Sequence, residues 1–333
     1  MKRQENHKTW YDPASTFESQ ALAAFRFQHE QNGLYRDYCD AIGVQPDKVT
    51  GISSIPFLPI RFFKTHAVTT TSFEPELIFE SSGTTGMAVS RHLVKDAGIY
   101  RQSFLTCFEQ FYGAAGNWCI LGLLPSYLER HHSSLVYMVN ELIRQSGHPQ
   151  SGFYLHDMAA LAAMLRQLED KGQQALLIGV TFALLDFAAA HPMELRHTVI
   201  METGGMKGRR KEITRPEVHT LLQQAFGTKH IHAEYGMTEL LSQAYSAGRG
   251  IFRCPPWMKV LLRDEEDPFH ILQPNPGSRQ ALRGAINIID LANCYSCCFI
   301  ATDDAGLAYA DGSFEVLGRL DHSDIRGCSL LAL

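Results

Sequence analysis

The stretch ALLIGVTFALLDFAAAHPMELRHTVIM, residues 175–201, carries the pattern that decides the fold. An apolar run at 175–180 is followed by a helix-forming segment at 182–190 and by a second apolar run at 198–201. This order predicts a right-handed βαβ unit, in which both strands lie parallel in the same sheet.

The same alternation extends to both sides of this unit. Further strands are predicted at 77–80, 118–124, 152–155 and 230–233. Helices are predicted at 17–31, 34–42, 95–111, 132–146, 158–167 and 215–226, and an extended segment at 56–63. We therefore expect an α/β core of mostly parallel sheets flanked by helices, with ligands at the carboxyl ends of the strands.

The residue composition of the sequence changes near residue 252. Beyond this point, prolines and glycines separate short apolar runs such as 285–289 and 297–301. Such punctuation is typical of a small, antiparallel β subdomain. We predict an N-terminal helical segment and α/β core in residues 1–251, and a β-rich subdomain with a C-terminal tail in 252–333.

The overall composition narrows the class of protein. The 333 residues include 30 Lys and Arg against 35 Asp and Glu, and the net charge of −5 argues against a nucleic-acid-binding surface. The charged start lacks the apolar segment of a secretory signal, and the longest uncharged run, 110–128, is too broken by glycine and proline to span a membrane. With eight cysteines and no signal, we expect reduced thiols and a cytoplasmic location.

A loop rich in hydroxyl groups and glycine follows the strand predicted at 77–80 and precedes the helix predicted at 95–111. It consists of Ser81, Ser82, Gly83, Thr84, Thr85 and Gly86. The glycines permit a tight turn with exposed backbone N–H groups, and the hydroxyls add donors, so the loop suits a polyphosphate. It lacks the Gly-Lys-Ser/Thr ending of a Walker loop. A plain Ser/Thr/Gly-rich linker is the alternative interpretation.

A second polar cluster, EYGMTE at residues 234–239, follows the strand predicted at 230–233. Tyr235 can stack on a base, the Thr238 hydroxyl can hold a phosphate oxygen, and Glu239 can bind Mg²⁺ together with substrate phosphates. Taken alone, the cluster also fits the capped start of a helix.

Together, SSGTTG and YGMTE resemble motifs of the adenylate-forming superfamily, which includes acyl-CoA synthetases, luciferases and peptide-synthetase adenylation domains. Three further matches follow in the family order. Gly204-Gly205 resembles the adenine-side loop, Asp304 falls on the ribose-binding carboxylate, and Arg319 falls on the Gly-Arg pair that begins the hinge.

The resemblance implies a fold like the large domain of these enzymes, with ATP and Mg²⁺ as cofactors. It implies that Thr238 and Glu239 are catalytic, and that Glu239 holds the metal ion. It also implies that Tyr235 and Gly236 join the phosphate loop, the adenine-side loop and the ribose carboxylate in binding ATP.

One branch of the superfamily fits better than the others. PFLPIRFFKTH at 56–66, ATDDAG at 301–306 and LGRLDHSDIRGCSL at 317–330 resemble the LuxE family of acyl-protein synthetases. This resemblance implies that the chain activates a fatty acid with ATP, takes the acyl group onto Cys328 and passes it to an acyl reductase. The neighbouring Arg326 can lower a thiol pKa. A terminal cysteine packed as a small hydrophobic side chain is the alternative.

Two departures from the superfamily pattern concern its cations. The phosphate loop of the superfamily usually continues with Pro and Lys, where this chain has Ala88 and Val89, so that Arg91 is the nearest cation. The usual C-terminal lid of roughly 100 residues, which carries a catalytic lysine, is expected to be lacking, because 14 residues follow Arg319. The basic run 209–211 is a minor candidate for the replacement cation, against the more common solvated turn.

Two other functions stay open at this point. A ligase of similar fold would pass the acyl or aryl group to coenzyme A or a carrier protein. A non-catalytic relative would keep the nucleotide contacts and lack turnover, which the altered phosphate loop permits. The partners expected are therefore a carboxylic acid and an acyl-acceptor protein, with neither nucleic acid nor a membrane span.

Overall fold

The computed structural model describes residues 10–81, 89–124, 132–154, 157–204, 213–273 and 280–320. The helices in this part of the chain are α1 (Phe17–Gln31), α2 (Gly33–Ala41), α3 (Phe62–Thr65), α4 (Ala97–Tyr112), α5 (Ser134–Ser146), α6 (Met158–Asp170), α7 (Thr181–Ala190) and α8 (Arg215–Phe226). The strands are β1 (Leu58–Pro59), β2 (Leu77–Glu80), β3 (Arg91–Val94), β4 (Cys119–Leu123), β5 (Gly152–Phe153), β6 (Ala175–Gly179), β7 (Thr198–Glu202), β8 (His232–Tyr235), β9 (Ala244–Ser246), β10 (Met258–Arg263), β11 (Ile271–Leu272), β12 (Leu282–Asp290), β13 (Phe299–Ala308) and β14 (Phe314–Arg319).

The α/β core contains a six-stranded sheet in the order β5-β4-β6-β7-β8-β9. All neighbours in this sheet are parallel except β8 and β9, which are antiparallel. Alternate side chains of the central strands point to opposite faces. Ile120 and Ile178 pack in a cluster with residues of α4 and α5, whereas Leu121 and Leu177 pack in a second cluster with residues of α6, α7 and α8.

Local signals explain where the helices around this sheet begin and end. The Thr214 hydroxyl accepts from the backbone of Glu217, and the Glu217 carboxylate accepts from the Thr214 N–H, so a capping box starts α8. Gly227, with φ of 62°, adopts the left-handed conformation just beyond the last residue of α8. A side-chain capping box therefore begins this helix, and a left-handed glycine ends it.

The second sheet has the order β1-β13-β12-β10-β11, and β14 also pairs with β13. Its pairs are antiparallel, except that β1 runs parallel to β13. The sheet is thus built from residues 258–319 together with one short strand from the first 60 residues. The division of the chain at residue 252 stays a prediction.

The predicted α/β core with an antiparallel-rich β region agrees with this architecture, but two local predictions are wrong. The segment 56–63 is not extended throughout, because α3 begins at Phe62 and buries Phe63. The predicted helix at 95–111 begins at Ala97, and the strand β3, which precedes it and pairs antiparallel with β2, was not predicted. The alternation of exposed Arg91 with buried His92 explains why β3 is a strand. No helix among the described residues combines the length and the apolar character needed to cross a membrane.

Candidate functional site

Three of the predicted ATP-binding residues meet where β8 of the core sheet contacts β13 of the second sheet. Tyr235 ends β8 of the core sheet, and its hydroxyl donates to Asp304 Oδ2 at 2.9 Å. Asp304 lies on β13 directly opposite Arg319 of β14, and Arg319 Nε is 3.6 Å from Asp304 Oδ1. Residues that are about 70 and 15 positions apart along the chain therefore form one polar cluster.

Two phenylalanine rings pack against the tyrosine of this cluster. The Tyr235 ring packs against Phe252 and Phe314, with centroid separations of 5.9 and 5.6 Å. Burial, followed by the negative charge of Asp304, raises the pKa of the Tyr235 phenol well above its usual value. The phenol therefore keeps its proton and donates a hydrogen bond to the Asp304 carboxylate. The Arg319 side chain is 59% exposed to solvent.

Glu239 lies next to the described edges of the phosphate loop. The backbone N–H of Ser90 donates to Ser81 Oγ at 2.9 Å, and the N–H of Ser81 donates to the Ser90 carbonyl at 3.0 Å. The Ser90 hydroxyl in turn hydrogen-bonds the Glu239 carboxylate. Ser81 and Glu239 are thus brought together through Ser90. The other predicted loop residues, Ser82, Gly83, Thr84, Thr85 and Gly86, lie outside the described residues.

The surroundings of Glu239 combine burial with two nearby cations. Its side chain is only 6% exposed, and this burial raises the pKa of the carboxyl, whereas the charges of Arg319 and Lys64 lower it. Glu239 supplies carboxylate oxygens, the ligand type that Mg²⁺ prefers, but no cluster of three or more His, Cys, Asp or Glu side chains suited to a metal ion occurs among the described residues. Lys64 was missed by the sequence analysis, although it stands in the quoted segment 56–66.

The backbone of the Thr238–Glu239 segment is held by a buried histidine and an amide. His92 Nδ1 lies 2.8 Å from the Thr238 carbonyl, which can only accept, so Nδ1 carries the hydrogen. His92 Nε2 lies 3.0 Å from Asn293 Oδ1, and Asn293 Nδ2 donates to the Glu239 carbonyl at 2.8 Å. Burial lowers the pKa of His92 to about 4, so the neutral ring donates only from Nδ1, and Nε2 has no hydrogen to donate to Asn293 Oδ1. The half-buried Thr238 and the buried Glu239 are therefore presented from a fixed backbone.

A second buried group holds the segment that follows. Asp290, at the end of β12, accepts from the backbone N–H of Leu241 at 2.8 Å and from the Ser242 hydroxyl at 2.6 Å. Sequence reasoning missed this anchor and the His92–Asn293 pair. Polar residues directly after the apolar run 285–289 were the available signal for Asp290 and Asn293, because buried polar groups at a strand end need partners.

The predicted adenine-side loop rests on a buried carboxylate. The Gly204 N–H donates to Glu202 Oε2 at 2.7 Å, and Thr181 Oγ1 donates to the same oxygen at 3.1 Å. Arg215 Nε donates to Glu202 Oε1 at 2.9 Å, and Arg215 Nη1 donates to the Val316 carbonyl of β14 at 2.9 Å. Gly204 has a φ of 75°, the left-handed region that glycine tolerates.

Two of the remaining predicted residues, Gly236 and Arg91, are described by the structure, and the others are not. Gly236 directly follows β8, and a Cβ atom there would overlap Glu234 Oε1, the end of a side chain that would have to move. Arg91 pairs with Glu80 across β2 and β3, with Nε 3.6 Å from Oε1. Gly205, Ala88, the basic run 209–211 and Cys328 lie outside the described residues.

Sequence comparison connects this site to a family. The sequence model of the family "Acyl-protein synthetase, LuxE" matches residues 9–106. Over 331 residues the chain is 22% identical to the long-chain-fatty-acid–luciferin-component ligase of Vibrio harveyi, a match that covers 92% of this chain and 84% of that protein. The chain is similar to the LuxE acyl-protein synthetases. The predicted resemblance and the assignment to the ligase class are thereby confirmed.

Solved structures confirm the adenylate-forming fold. An open conformation of 2-hydroxyisobutyryl-CoA ligase has a TM-score of 0.64 at 12% identity, and the match covers 97% of this chain and 82% of that one. ATP-bound MatB from Rhodopseudomonas palustris has a TM-score of 0.54 at 15% identity. The chain spans 63% of MatB, and 93% of its own length is covered.

Proposed function

We propose that the chain activates a carboxylic acid, a fatty acid in the first instance, with ATP and then carries the acyl group on Cys328 to an acceptor protein such as an acyl reductase. The observation that supports this best is the meeting of Tyr235, Asp304 and Arg319 beside Glu239. The similarity to fatty-acid ligases of the LuxE family supports the same reaction class.

In this proposal the nucleotide binds across the junction of the two sheets. Asp304 accepts hydrogen bonds from the ribose hydroxyls, and the adenine lies between Tyr235 and the loop at Gly204. Both sides are held before ATP arrives, because Glu202 fixes the Gly204 N–H and Tyr235 fixes one oxygen of Asp304. Positioning of this kind lowers the entropic cost of bringing the reactants together.

In the first step a carboxylate oxygen of the acid attacks the α-phosphorus, and the bond to pyrophosphate breaks. One anion approaches another, so the barrier is mainly electrostatic. Arg319 and Lys64 supply positive charge near Glu239, and the hydroxyls of the phosphate loop supply hydrogen bonds. Mg²⁺ held by Glu239 would neutralise further charge on the phosphates.

In the second step the Cys328 thiolate attacks the acyl carbon, AMP leaves, and a thioester remains. Cys328 stands nine positions after Arg319, and nine extended residues span roughly 30 Å at about 3.3 Å each. Transfer to the thiol of an acceptor then exchanges one thioester for another, without a further cofactor.

The test combines pyrophosphate exchange with labelling of the protein. With ATP and a radiolabelled fatty acid, we expect hydroxylamine-sensitive label on the wild-type chain and none on Cys328→Ser. Cys254→Ser is the matched control and should label normally, because burial raises the pKa of that thiol to about 12. Normal labelling of Cys328→Ser would exclude this nucleophile.

The same assays separate the alternatives. If the labelled acyl group appears on added coenzyme A and no thioester forms on the protein, the chain is a coenzyme A ligase. Absence of pyrophosphate exchange across a broad set of acids would indicate a nucleotide-binding relative without turnover.

A separate variant tests the role of Glu239. Glu239→Gln should lower kcat/KM for pyrophosphate exchange about a hundredfold or more, since losing one well-placed group at such a site costs on the order of 3 kcal/mol. Glu265→Gln, an exposed glutamate, is the control and should exchange normally. If the Glu239→Gln variant exchanges pyrophosphate within about twofold of the wild-type rate, Glu239 has no catalytic role in this reaction.

A further inference from the structure

A buried arginine lies in the second sheet and contacts the strand that carries Asp304. Arg263 is the last residue of β10 and is only 8% exposed. Its guanidinium group donates to the Ile286 carbonyl at 2.9 Å, to Asn287 Oδ1 at 2.7 Å and to the Thr302 carbonyl at 2.7 Å. Burying a cation is unfavourable unless acceptors surround it, so these oxygens allow the charge to lie inside the protein.

The acceptors surround an irregularity in the pairing of β12 with β13. The two strands pair residue by residue on either side of it, but one β12 residue, Ile286, stands opposite the three β13 residues 302–304. A bulge of this kind leaves backbone groups without partners in the ladder and bends the longer strand. Bulges are frequent beside active sites, where they set the direction of a side chain.

Two side chains supply the hydrogen bonds that the ladder lacks at this bulge. The Thr302 hydroxyl donates to the Ile286 carbonyl at 2.8 Å and accepts from the Asp304 N–H at 3.1 Å. Arg263 donates to the same Ile286 carbonyl and to the carbonyl of Thr302, a residue that is fully buried. One connected network therefore holds the bulge from Ile286 to Asp304, and Arg263 bonds both of its strands.

Arg263 approaches the bulge from the face of the sheet opposite to the Asp304 carboxylate. It pairs with Ala285 of β12, which in turn pairs with Ala305 of β13. Paired residues point to the same face and successive residues to opposite faces, so Asp304 points to the other face, where it meets Tyr235. The guanidinium group therefore acts on Asp304 through the backbone of the bulge.

We propose that Arg263 is a positioning residue for nucleotide binding, because it fixes the β13 bulge that directs the Asp304 carboxylate at the ribose hydroxyls. The inference rests on the ribose contact of the proposed function and adds a residue to it. Tyr235 holds one carboxylate oxygen of Asp304, and the bulge holds its backbone. Without the bulge contacts the carboxylate should lose its direction, so the hydrogen bonds to the ribose should weaken while the contacts to adenine and the phosphates persist.

The experiment compares the binding of ATP with that of 2′,3′-dideoxyATP, which lacks both ribose hydroxyls, by isothermal titration calorimetry. Direct binding requires neither the acid nor turnover. For the wild-type chain we expect ATP to bind about tenfold or more tightly, because hydrogen bonds to a charged group are strong. The ratio of the two dissociation constants measures the ribose contact, and it is independent of the fraction of protein that is folded.

Two variants break the network, and a third serves as the control. Arg263→Met removes both carbonyl contacts, and Thr302→Val removes the hydroxyl while keeping the branched shape. Each should bind ATP several-fold more weakly and bind dideoxyATP almost as the wild type does. Val260→Ala is the matched control, because it removes buried methyl groups from the same strand, β10, where Val260 pairs with Ile288 beyond the bulge. Its melting temperature should fall, and its ratio should equal that of the wild type.

A double-mutant cycle assigns the effect to Asp304. Asp304→Ala should bring the ratio close to one, and adding Arg263→Met should change the ratio no further, since the arginine acts through this carboxylate. If the ratio in Arg263→Met stays at the wild-type value, or if affinity for both nucleotides falls equally, the inference is wrong.

The outcomes separate this inference from the function on which it rests. The expected binding ratios without pyrophosphate exchange for any acid would support the role of Arg263 and overturn the activation step. Exchange by a wild-type chain that binds the two nucleotides equally well would overturn the inference and leave acid activation intact. Absence of ATP binding would overturn both.

Discussion

Glu202 and Glu234 are two buried glutamates on neighbouring strands of the same sheet, yet their surroundings differ completely. Glu202 is 3% exposed and receives hydrogen bonds from Thr181, Gly204 and Arg215. Burial alone would raise its pKa, but nearby His219, the charge of Arg215 and the Gly204 N–H hold the pKa of Glu202 at about 2. Glu234 has none of these partners, and burial, followed by the charge of Glu202, raises its pKa to about 8.

The difference shows that hydrogen-bonding and charged partners, and not burial alone, decide whether the pKa of a buried carboxyl is lowered or raised. The partners of Glu202 begin α7, follow β7 and begin α8, and these element ends converge at the carboxyl edge of parallel strands. Glu234 is next to an antiparallel strand whose opposing residue, Tyr245, offers it no hydrogen bond. Glu202 is therefore committed to holding the Gly204 loop, whereas Glu234 keeps a raised pKa.

The largest expected effect is on stability. Glu202→Ala should lower the free energy of unfolding by about 3 to 5 kcal/mol, because it leaves the Arg215 charge, the Gly204 N–H and the Thr181 hydroxyl without their acceptor. Urea unfolding at pH 7 measures this loss. Glu234→Gln is the matched control and should cost little or increase stability, since it removes only an unpaired carboxyl. Equal losses in the two variants would refute the contrast.

The second prediction concerns pH. In the folded state Glu234 keeps its proton up to a pKa of about 8, whereas the unfolded carboxyl ionises near 4.5, so this residue makes stability fall as pH rises from about 5 to 8. The slope is about 1 kcal/mol per pH unit. Glu202 acts in the opposite sense, because its stabilisation is lost as pH falls from about 4.5 to 2.

Urea-unfolding curves at pH 5, 6.5 and 8 test this prediction. The difference between wild type and Glu234→Gln cancels the contributions of other titrating groups, such as His92, and should change steadily over that range. A constant difference would show that Glu234 is ionised in the folded protein.

The third prediction sharpens the role of Arg215, which joins the Glu202 network to β14. Arg215→Lys keeps the charge but loses the guanidinium group whose two nitrogens reach both Glu202 and the Val316 carbonyl. The free energy of unfolding should therefore fall by about 1 to 2 kcal/mol. The KM for ATP in pyrophosphate exchange should rise more than kcat falls, because the adenine-side loop is less fixed. An unchanged KM would confine Arg215 to a structural role.

The smallest effect is expected for an ion pair at the surface. Arg283 Nε lies 3.5 Å from Glu265 Oε1, and 68% of the Arg283 side chain is exposed. Arg283→Met should change the free energy of unfolding by less than about 1 kcal/mol, because water screens both charges. A loss as large as that of Glu202→Ala would mean that burial is not what gives the Glu202 network its strength.

Much of the fold was predictable from the sequence because its signals are local. The predicted bounds of α1, α8 and β2 agree with the structure, and the other core elements differ at their ends. Apolar periodicity and capping residues act within one element, so they can be read along the chain. The hairpin of β2 and β3 was missed, because four residues between a polar loop and a helix carry too little pattern.

The site was predictable only in part, for a different physical reason. The sequence by itself determined the α/β class and singled out Tyr235, Asp304, Arg319 and Glu239, since these stand in motifs whose residue types and order are informative. Only the tertiary structure decided that Tyr235 donates to Asp304, and that His92 and Asn293 hold the Thr238–Glu239 backbone. Only it separated the paired Glu202 from the unpaired Glu234. Hydrogen bonding and burial depend on which distant residues the fold brings within about 3 Å, and no single segment of sequence specifies that.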